Sequence, residues 1–220
     1  MFVPSRYDAR DAQWHRRIVA GHPLATFVTN GEPVPWATRL PALVAPGEPE
    51  AGPLPGVELV GHLNRANPHW RSLTDGTAAR LMFDGPGGFV TPAVYHADPA
   101  APTWNFASVH VCGRIRLVHD PEQTLAIVRW TAERLEERFG AGWDCTSSLG
   151  YFRAILPAVG AFRLTVESVE AMFKLSQEKD AATRDSVIAR YEADPASGPL
   201  ARLMREYGTQ TTSTRGRCPS

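Results

Sequence analysis

The sequence predicts a mainly β fold with α additions, an antiparallel barrel carrying helical extensions. Three observations lead to it. About six or seven short segments read as strands, several of them by apolar–polar alternation. The helical patterns do not interleave with them as βαβ units, which argues against a parallel sheet. The 220 residues suffice for one real core without an internal repeat.

Residues 8–20 read as a helix, with Asp8 as N-cap and Trp14 and Ile18 one turn apart on an apolar face; Gly21 ends it. Leu24 to Thr29 is a short strand, Asn30-Gly31 signals a turn, and Trp36 to Leu43 reads as the antiparallel partner. Residues 45–56, rich in Pro, Gly and Glu, form a surface loop. Val57, Leu59, Gly61 and Leu63 then alternate with Glu58, Val60 and His62, so the strand sets His62 on the face opposite the leucines. It leads into a polar turn, Asn64 to Trp70, that concentrates imidazole, guanidinium, amide and indole groups.

Leu81 to Asp84 and Phe89 to Tyr95 are two further strand candidates around Gly85-Pro86-Gly87-Gly88, where the backbone either turns or approaches a ligand closely; the turn is the favoured reading because the phosphate-loop pattern is lacking. Residues 97–103 form a loop. Trp104 to Val118 is a long strand with Val109, Val111, Gly113, Ile115 and Leu117 on one face and His110, Cys112, Arg114 and Arg116 on the other. Asp120-Pro121-Glu122-Gln123 starts a helix, with an Asp cap and Pro at the first helical position, and Leu125, Val128, Ala132, Leu135 and Phe139 are its expected core stripe. Tyr151 to Leu156 is a short helix, Phe162, Leu164 and Val166 mark a last strand, and Thr183 to Tyr191 and Leu200 to Tyr207 read as terminal helices. One domain over residues 1–207 is expected, with a polar, disordered tail at 208–220.

Composition narrows the function classes. Lys+Arg and Asp+Glu both total 23, a formal net charge of zero, so the basic footprint of a nucleic-acid binder is missing. No apolar run approaches the ~18 residues of a membrane span, and a cytoplasmic protein is expected. Cys112, Cys145 and Cys218 lie far apart without metal-type spacing and are read as free thiols of a reducing compartment. Neither Gly-x-Ser-x-Gly nor His-Glu-x-x-His occurs, so a bound cofactor fits better than a hydrolytic triad. The imidazole of His62 suits a heme axial ligand, a flavin contact or a structural hydrogen bond alike.

Five motifs, Ala37-Thr38-Arg39-Leu40-Pro41, Gly61 to Trp70, Gly85-Pro86 with Val90-Thr91-Pro92-Ala93-Val94-Tyr95, Pro102-Thr103-Trp104-Asn105-Phe106, and Phe173-Lys174-Leu175-Ser176-Gln177, resemble in order the motif series of the PaiB-like family of FMN-binding negative transcriptional regulators. The resemblance implies a split β-barrel of the FMN-binding type, homodimeric, with C-terminal helices. Where the family commonly has His-Leu-Pro, Ala and Asn, this chain has Arg39-Leu40-Pro41, Asn64 and Glu178. Met1-Phe2-Val3-Pro4, Phe83 to Pro92, Ala100 to Phe106 and Gly140-Ala141-Gly142-Trp143-Asp144 resemble more closely a branch of that family, the piperazate synthases of nonribosomal-peptide pathways. That implies heme b in place of FMN, and cyclisation of side-chain N-hydroxylated ornithine to piperazic acid. On this reading His62 is the iron ligand, with His110 its main rival and His69 and His96 behind. Arg39, Arg65 and Tyr95 join His62 as catalytic candidates. Arg65, Asn67, His69, Thr103, Trp104, His110, Lys174 and Gln177 are the further cofactor contacts.

Overall fold

The computed structural model describes residues 1–9, 11–95 and 99–215, with side chains of the last helix as far as Gly208. The chain divides into two compact units, one of Asp11–Phe83 and Val109–Glu170, the other of Met1–Arg10, Asp84–Ser108 and Ala171–Ser220.

In the first unit a closed barrel runs in the order β1-β2-β3-β6-β5-β4. Its strands are β1 (Leu24–Thr29), β2 (Trp36–Val44), β3 (Glu58–Asn64), β4 (Ala78–Val90), β5 (Thr103–Val118) and β6 (Val159–Lys174), the last three continuing into the second unit. The hairpin is as expected: β1 and β2 pair antiparallel from Leu24↔Pro41 to Thr29↔Trp36. β3 pairs antiparallel with β6 from Glu58↔Thr165 to Asn64↔Val159. Phe27, Leu59, Leu81, Phe162 and Leu164 fill the interior. Two glycines permit this packing. A Cβ on Gly61 would lie 2.6 Å from the Phe162 ring, and one on Gly113 only 2.0 Å from the Thr165 carbonyl, so Gly113 serves close approach of β5 to β6.

A second layer covers the other face of β3. Val60 and Ala161 pack with Ala45, Val118, Ile127 and the half-buried Trp130 of α3 (Pro121–Phe139). The stripe of α3 differs from the 3-4 pattern read in the sequence: Thr124, Leu125, Ile127 and Thr131 are buried, whereas Phe139 is 58% exposed. The threonines are tolerated there because each hydroxyl donates back to a helix-region carbonyl, Thr124 to Asp120 at 3.0 Å and Thr131 to Ile127 at 2.8 Å. On β5, Val118 rather than Leu117 joins the core.

Helix α1 (Ala12–Gly21) starts later than the sequence pattern suggested. Asp11 is its cap, accepting from Gln13 N at 2.9 Å, and Trp14 and Ile18 are buried as expected. Asp8 is drawn instead into a β-bridge with Met172, because the backbone around it is extended. The short helices α2 (Pro68–Arg71) and α4 (Leu149–Ile155) complete this chain order before β6.

In the second unit the Gly85–Gly88 stretch is strand, not turn: β4 is continuous from Ala78 to Val90. Its alternation slips by one residue there, from Asp84 outward to Gly87 and Phe89 outward, which disguised one strand as two. Gly88 and Val90 face the core of α5 (Ala181–Glu192) and α6 (Gly198–Arg215): a Cβ on Gly88 would touch Leu200 and Tyr191 at 3.1 Å. The Tyr191 hydroxyl donates to the Gly88 carbonyl at 3.0 Å, and burial pushes that phenol up to about 12. Helix α6 runs past Tyr207 to Arg215, and the rest of the polar tail lies outside the described residues.

Candidate functional site

Strand β3 delivers the polar turn, and Asn67 builds it. The Asn67 side chain accepts from His69 N at 3.0 Å and Pro68 takes the first helical position, so a single turn of helix swings the His69 ring inward. The ring is 1% exposed. Its Nε2 lies 2.9 Å from Thr29 Oγ1 and its Nδ1 2.9 Å from Thr38 Oγ1, while Asn67 Nδ2 donates to the same Thr38 oxygen at 3.2 Å. The ring also stacks on Phe27 at 4.6 Å. His69 and Asn67 thus form a closed network with both ring nitrogens engaged.

Arg65 and Trp70 sit at the ends of the same turn. Arg65 donates through Nε to the Val159 carbonyl at 2.8 Å and lies 5.7 Å from the Trp70 ring centre. Trp70 packs on Gly160, where a Cβ would meet the indole at 2.4 Å. Arg65 also lines a groove of about 420 Å³ with His119, Thr124, Arg153 and Pro157. Arg39 is exposed and donates to the Leu24 carbonyl at 3.1 Å.

His62 has different surroundings. It pairs across with Ala161, on the face shared with Val60 that α3 covers. Burial lowers its pKa, so the ring is neutral at neutral pH, and its buried Nδ1 has no hydrogen-bond partner among the described residues. A neutral imidazole with an unsatisfied nitrogen is the chemical form that ligates a metal. His110 lies on the outer face of β5 together with Cys112, whose sulfur accepts from Arg80 Nε at 3.2 Å; Arg80 also pairs with Glu170 at 3.6 Å. His96 lies outside the described residues. No group of three or more His, Cys, Asp or Glu able to hold a metal ion occurs among the described residues.

The second unit brings Thr103, Tyr95, Lys174 and Gln177 together with residues that sequence patterns did not single out. Lys174 Nζ donates to Thr103 Oγ1 and lies 5.9 Å from the Tyr7 ring centre. Tyr95 carries the Lys179 ammonium 4.6 Å above its ring. The Tyr7 hydroxyl hydrogen-bonds Glu178; burial, then Glu178, raises the pKa of both Tyr7 and Tyr95, keeping them protonated. Gln177 is a bracket: its Oε1 accepts from Leu175 N at 2.6 Å and its Nε2 donates to the carbonyls of Arg6, at 3.1 Å, and Phe173. Asn105, fully buried, holds Ser176 Oγ at 2.8 Å and supports the left-handed backbone there (φ 58°). Trp104 and Phe89, each 54% exposed, face one another with centroids 6.3 Å apart. Tyr7 and Lys179 escaped notice, and Glu178 stood out only as a departure from the family's usual Asn, because no spacing rule links residue 7 to residues 178 and 179.

A family model described as "Putative FMN-binding domain" matches residues 1–168. The "Protease synthase and sporulation protein PAI 2" of Bacillus subtilis is 25% identical over 210 residues, covering 94% of this chain and 97% of that protein. Among solved structures, an FAD and heme binding protein from Mycobacterium smegmatis matches with a TM-score of 0.58 at 18% identity, over 84% of this chain and 80% of that one. The flavocytochrome Anf3 from Azotobacter vinelandii matches with a TM-score of 0.51 at 18% identity, over 74% and 67%. These likenesses establish the split-barrel fold. No helix among the described residues is long and apolar enough to cross a membrane.

Proposed function

The chain belongs to the FMN-binding domain family, in its PaiB-like form, and from that premise we propose that it is a heme-dependent cyclase. It converts side-chain N-hydroxylated L-ornithine to L-piperazic acid, as a homodimer, within natural-product biosynthesis. The observation that carries this reading is His62: a neutral, largely buried imidazole with an orphaned Nδ1, on a strand of a fold that two flavin-and-heme proteins share. Imidazole is a donor type that heme iron takes, and His62 is the residue that would hold it. Heme held there would supply Lewis-acidic iron chemistry toward the N–O bond of the hydroxylamine.

The reaction forms one N–N bond, breaks one N–O bond and releases one water, so substrate and product balance without an external oxidant or reductant. The chain's own residues bind, orient and move protons. Tyr95, held protonated by burial and by Glu178, keeps an O–H that can give up a proton. Folding a flexible five-carbon chain into a six-membered ring is an orientation problem, so fixed cationic anchors matter most. Arg65, pinned between the Val159 carbonyl and the Trp70 ring, suits a heme propionate or a substrate carboxylate.

A second reading, an FMN-binding protein, is favoured by the exposed Trp104–Phe89 pair, which suits stacking of an isoalloxazine ring. One absorption spectrum of protein expressed with heme supply separates the two. The cyclase reading expects a Soret band that His62→Ala abolishes, and a product one water lighter than N-hydroxyornithine. Flavin bands without a Soret band, or substrate recovered unchanged by heme-loaded protein, would overturn it.

A further inference from the structure

A row of side chains in the second unit alternates in charge and aromaticity. Lys174 lies over Tyr7, Tyr7 hydrogen-bonds Glu178, Glu178 acts electrostatically on Tyr95, and Lys179 lies over Tyr95. The Glu178 carboxylate therefore hydrogen-bonds one phenol and acts electrostatically on the other, and each phenol ring carries an ammonium. Ring faces attract cations, so each lysine is held near its tyrosine rather than left to sample solvent. Thr103 fixes Lys174 further by accepting one of its three N–H groups. Glu178 and Lys179 are exposed, while Tyr7, Tyr95, Thr103 and Lys174 are half-buried, so the row has an accessible side and an anchored side.

We infer that Tyr7, Tyr95, Lys174, Glu178 and Lys179 form a recognition site for the zwitterionic head of a free α-amino acid. The α-carboxylate meets a lysine ammonium and the α-ammonium meets the Glu178 carboxylate, with the two tyrosine hydroxyls as added hydrogen-bonding groups. Charge order selects this class. A phosphate dianion placed on the lysines would also face Glu178, and a simple diamine placed on Glu178 would also face two ammoniums; only a ligand with adjacent opposite charges satisfies both. The identification of that amino acid as the hydroxylated ornithine rests on the proposed cyclase function, whereas the zwitterion site stands on its own geometry.

The test is calorimetric titration of the full-length protein, as purified, with L-ornithine, 5-aminopentanoate (no α-amine) and 1,4-diaminobutane (no carboxylate). Wild type binds L-ornithine about tenfold tighter than either analogue, the worth of one charge-assisted contact. Glu178→Gln weakens L-ornithine by about tenfold while holding 5-aminopentanoate within about twofold, and Lys179→Met weakens both carboxylates. Both changes are at exposed positions, and thermal melts of each variant check that the fold persists. Equal affinity of wild type for all three probes, no heat with L-ornithine at millimolar concentration, or wild-type L-ornithine affinity in both variants would overturn the site. The absorption spectrum of the same samples is scored separately: selective L-ornithine binding without a Soret band refutes the heme reading alone, and a Soret band without selective binding refutes this site alone.

Discussion

Replacing His69 by leucine separates a packing histidine from a ligand histidine, and its effect can be worked out from the structure. The change removes two hydrogen bonds, to Thr29 Oγ1 and Thr38 Oγ1, each 2.9 Å long, and each contributing about 1 kcal/mol. It also removes the stack on Phe27, which adds roughly 1 kcal/mol beyond the area it covers. Thr29 remains buried, its hydroxyl stripped of its better partner, since the bond to the Asn30 carbonyl is long at 3.4 Å. Leucine restores much of the apolar burial, so the loss comes to about 3 kcal/mol near pH 7.5. The pH dependence has a definite sign. Burial lowers the His69 pKa below the unfolded value of 6.5, so below that value the unfolded chain binds more protons. Wild-type stability from this group is therefore fully present above pH 6.5 and declines as pH falls toward the folded pKa. The leucine variant lacks that decline and keeps the contributions of the other shifted groups, His62 among them, which both proteins share, so the gap between the two narrows in acid. Urea denaturation at pH 7.5 and pH 5.0, with linear extrapolation, measures both effects. A loss below about 1 kcal/mol at pH 7.5, or a gap that widens in acid, would refute the reasoning.

Three further changes probe the scaffold. Gly113→Ala places a methyl 2.0 Å from the Thr165 carbonyl, a clash with backbone that forces β5 from β6; a loss of about 3 kcal/mol or more is expected by denaturation, and a neutral effect would contradict the close approach. Tyr191→Phe strips the Gly88 carbonyl of its buried donor at a cost of about 1–2 kcal/mol, and should also delete from the ultraviolet titration a phenol that ionises near 12. Asp120→Ala removes the cap that accepts from Glu122 N at 2.9 Å; about 1 kcal/mol is expected by thermal melting, with the Asn variant restoring most of it.

The Asn30-Gly31 turn signal located β1 and β2 around it, and alternation, the rule of a half-buried strand, identified β3, most of β5 and part of β6. It failed at β4, where the slip at Gly85-Pro86 exchanges inside for outside and mimics a turn between two strands. It also failed on α3, where buried threonines satisfied by their own helix read as polar surface.

The candidate site divides along the same line. Sequence alone located a polar turn after the strand and set His62 on the face opposite the leucines, because strand parity needs only neighbours, while the helical turn that Asn67 and Pro68 start emerged with the structure. The motif order likewise carried the family. Only the tertiary structure decided that two histidines seven residues apart differ in kind, one enclosed by Thr29 and Thr38 and the other with an unsatisfied nitrogen on the face that α3 covers. Only the tertiary structure, too, placed Tyr7 against Glu178, since a contact spanning most of the chain leaves no periodic trace in either segment. Hydrogen-bond satisfaction is a property of what surrounds an atom in space, and the order of residues along the chain does not specify it.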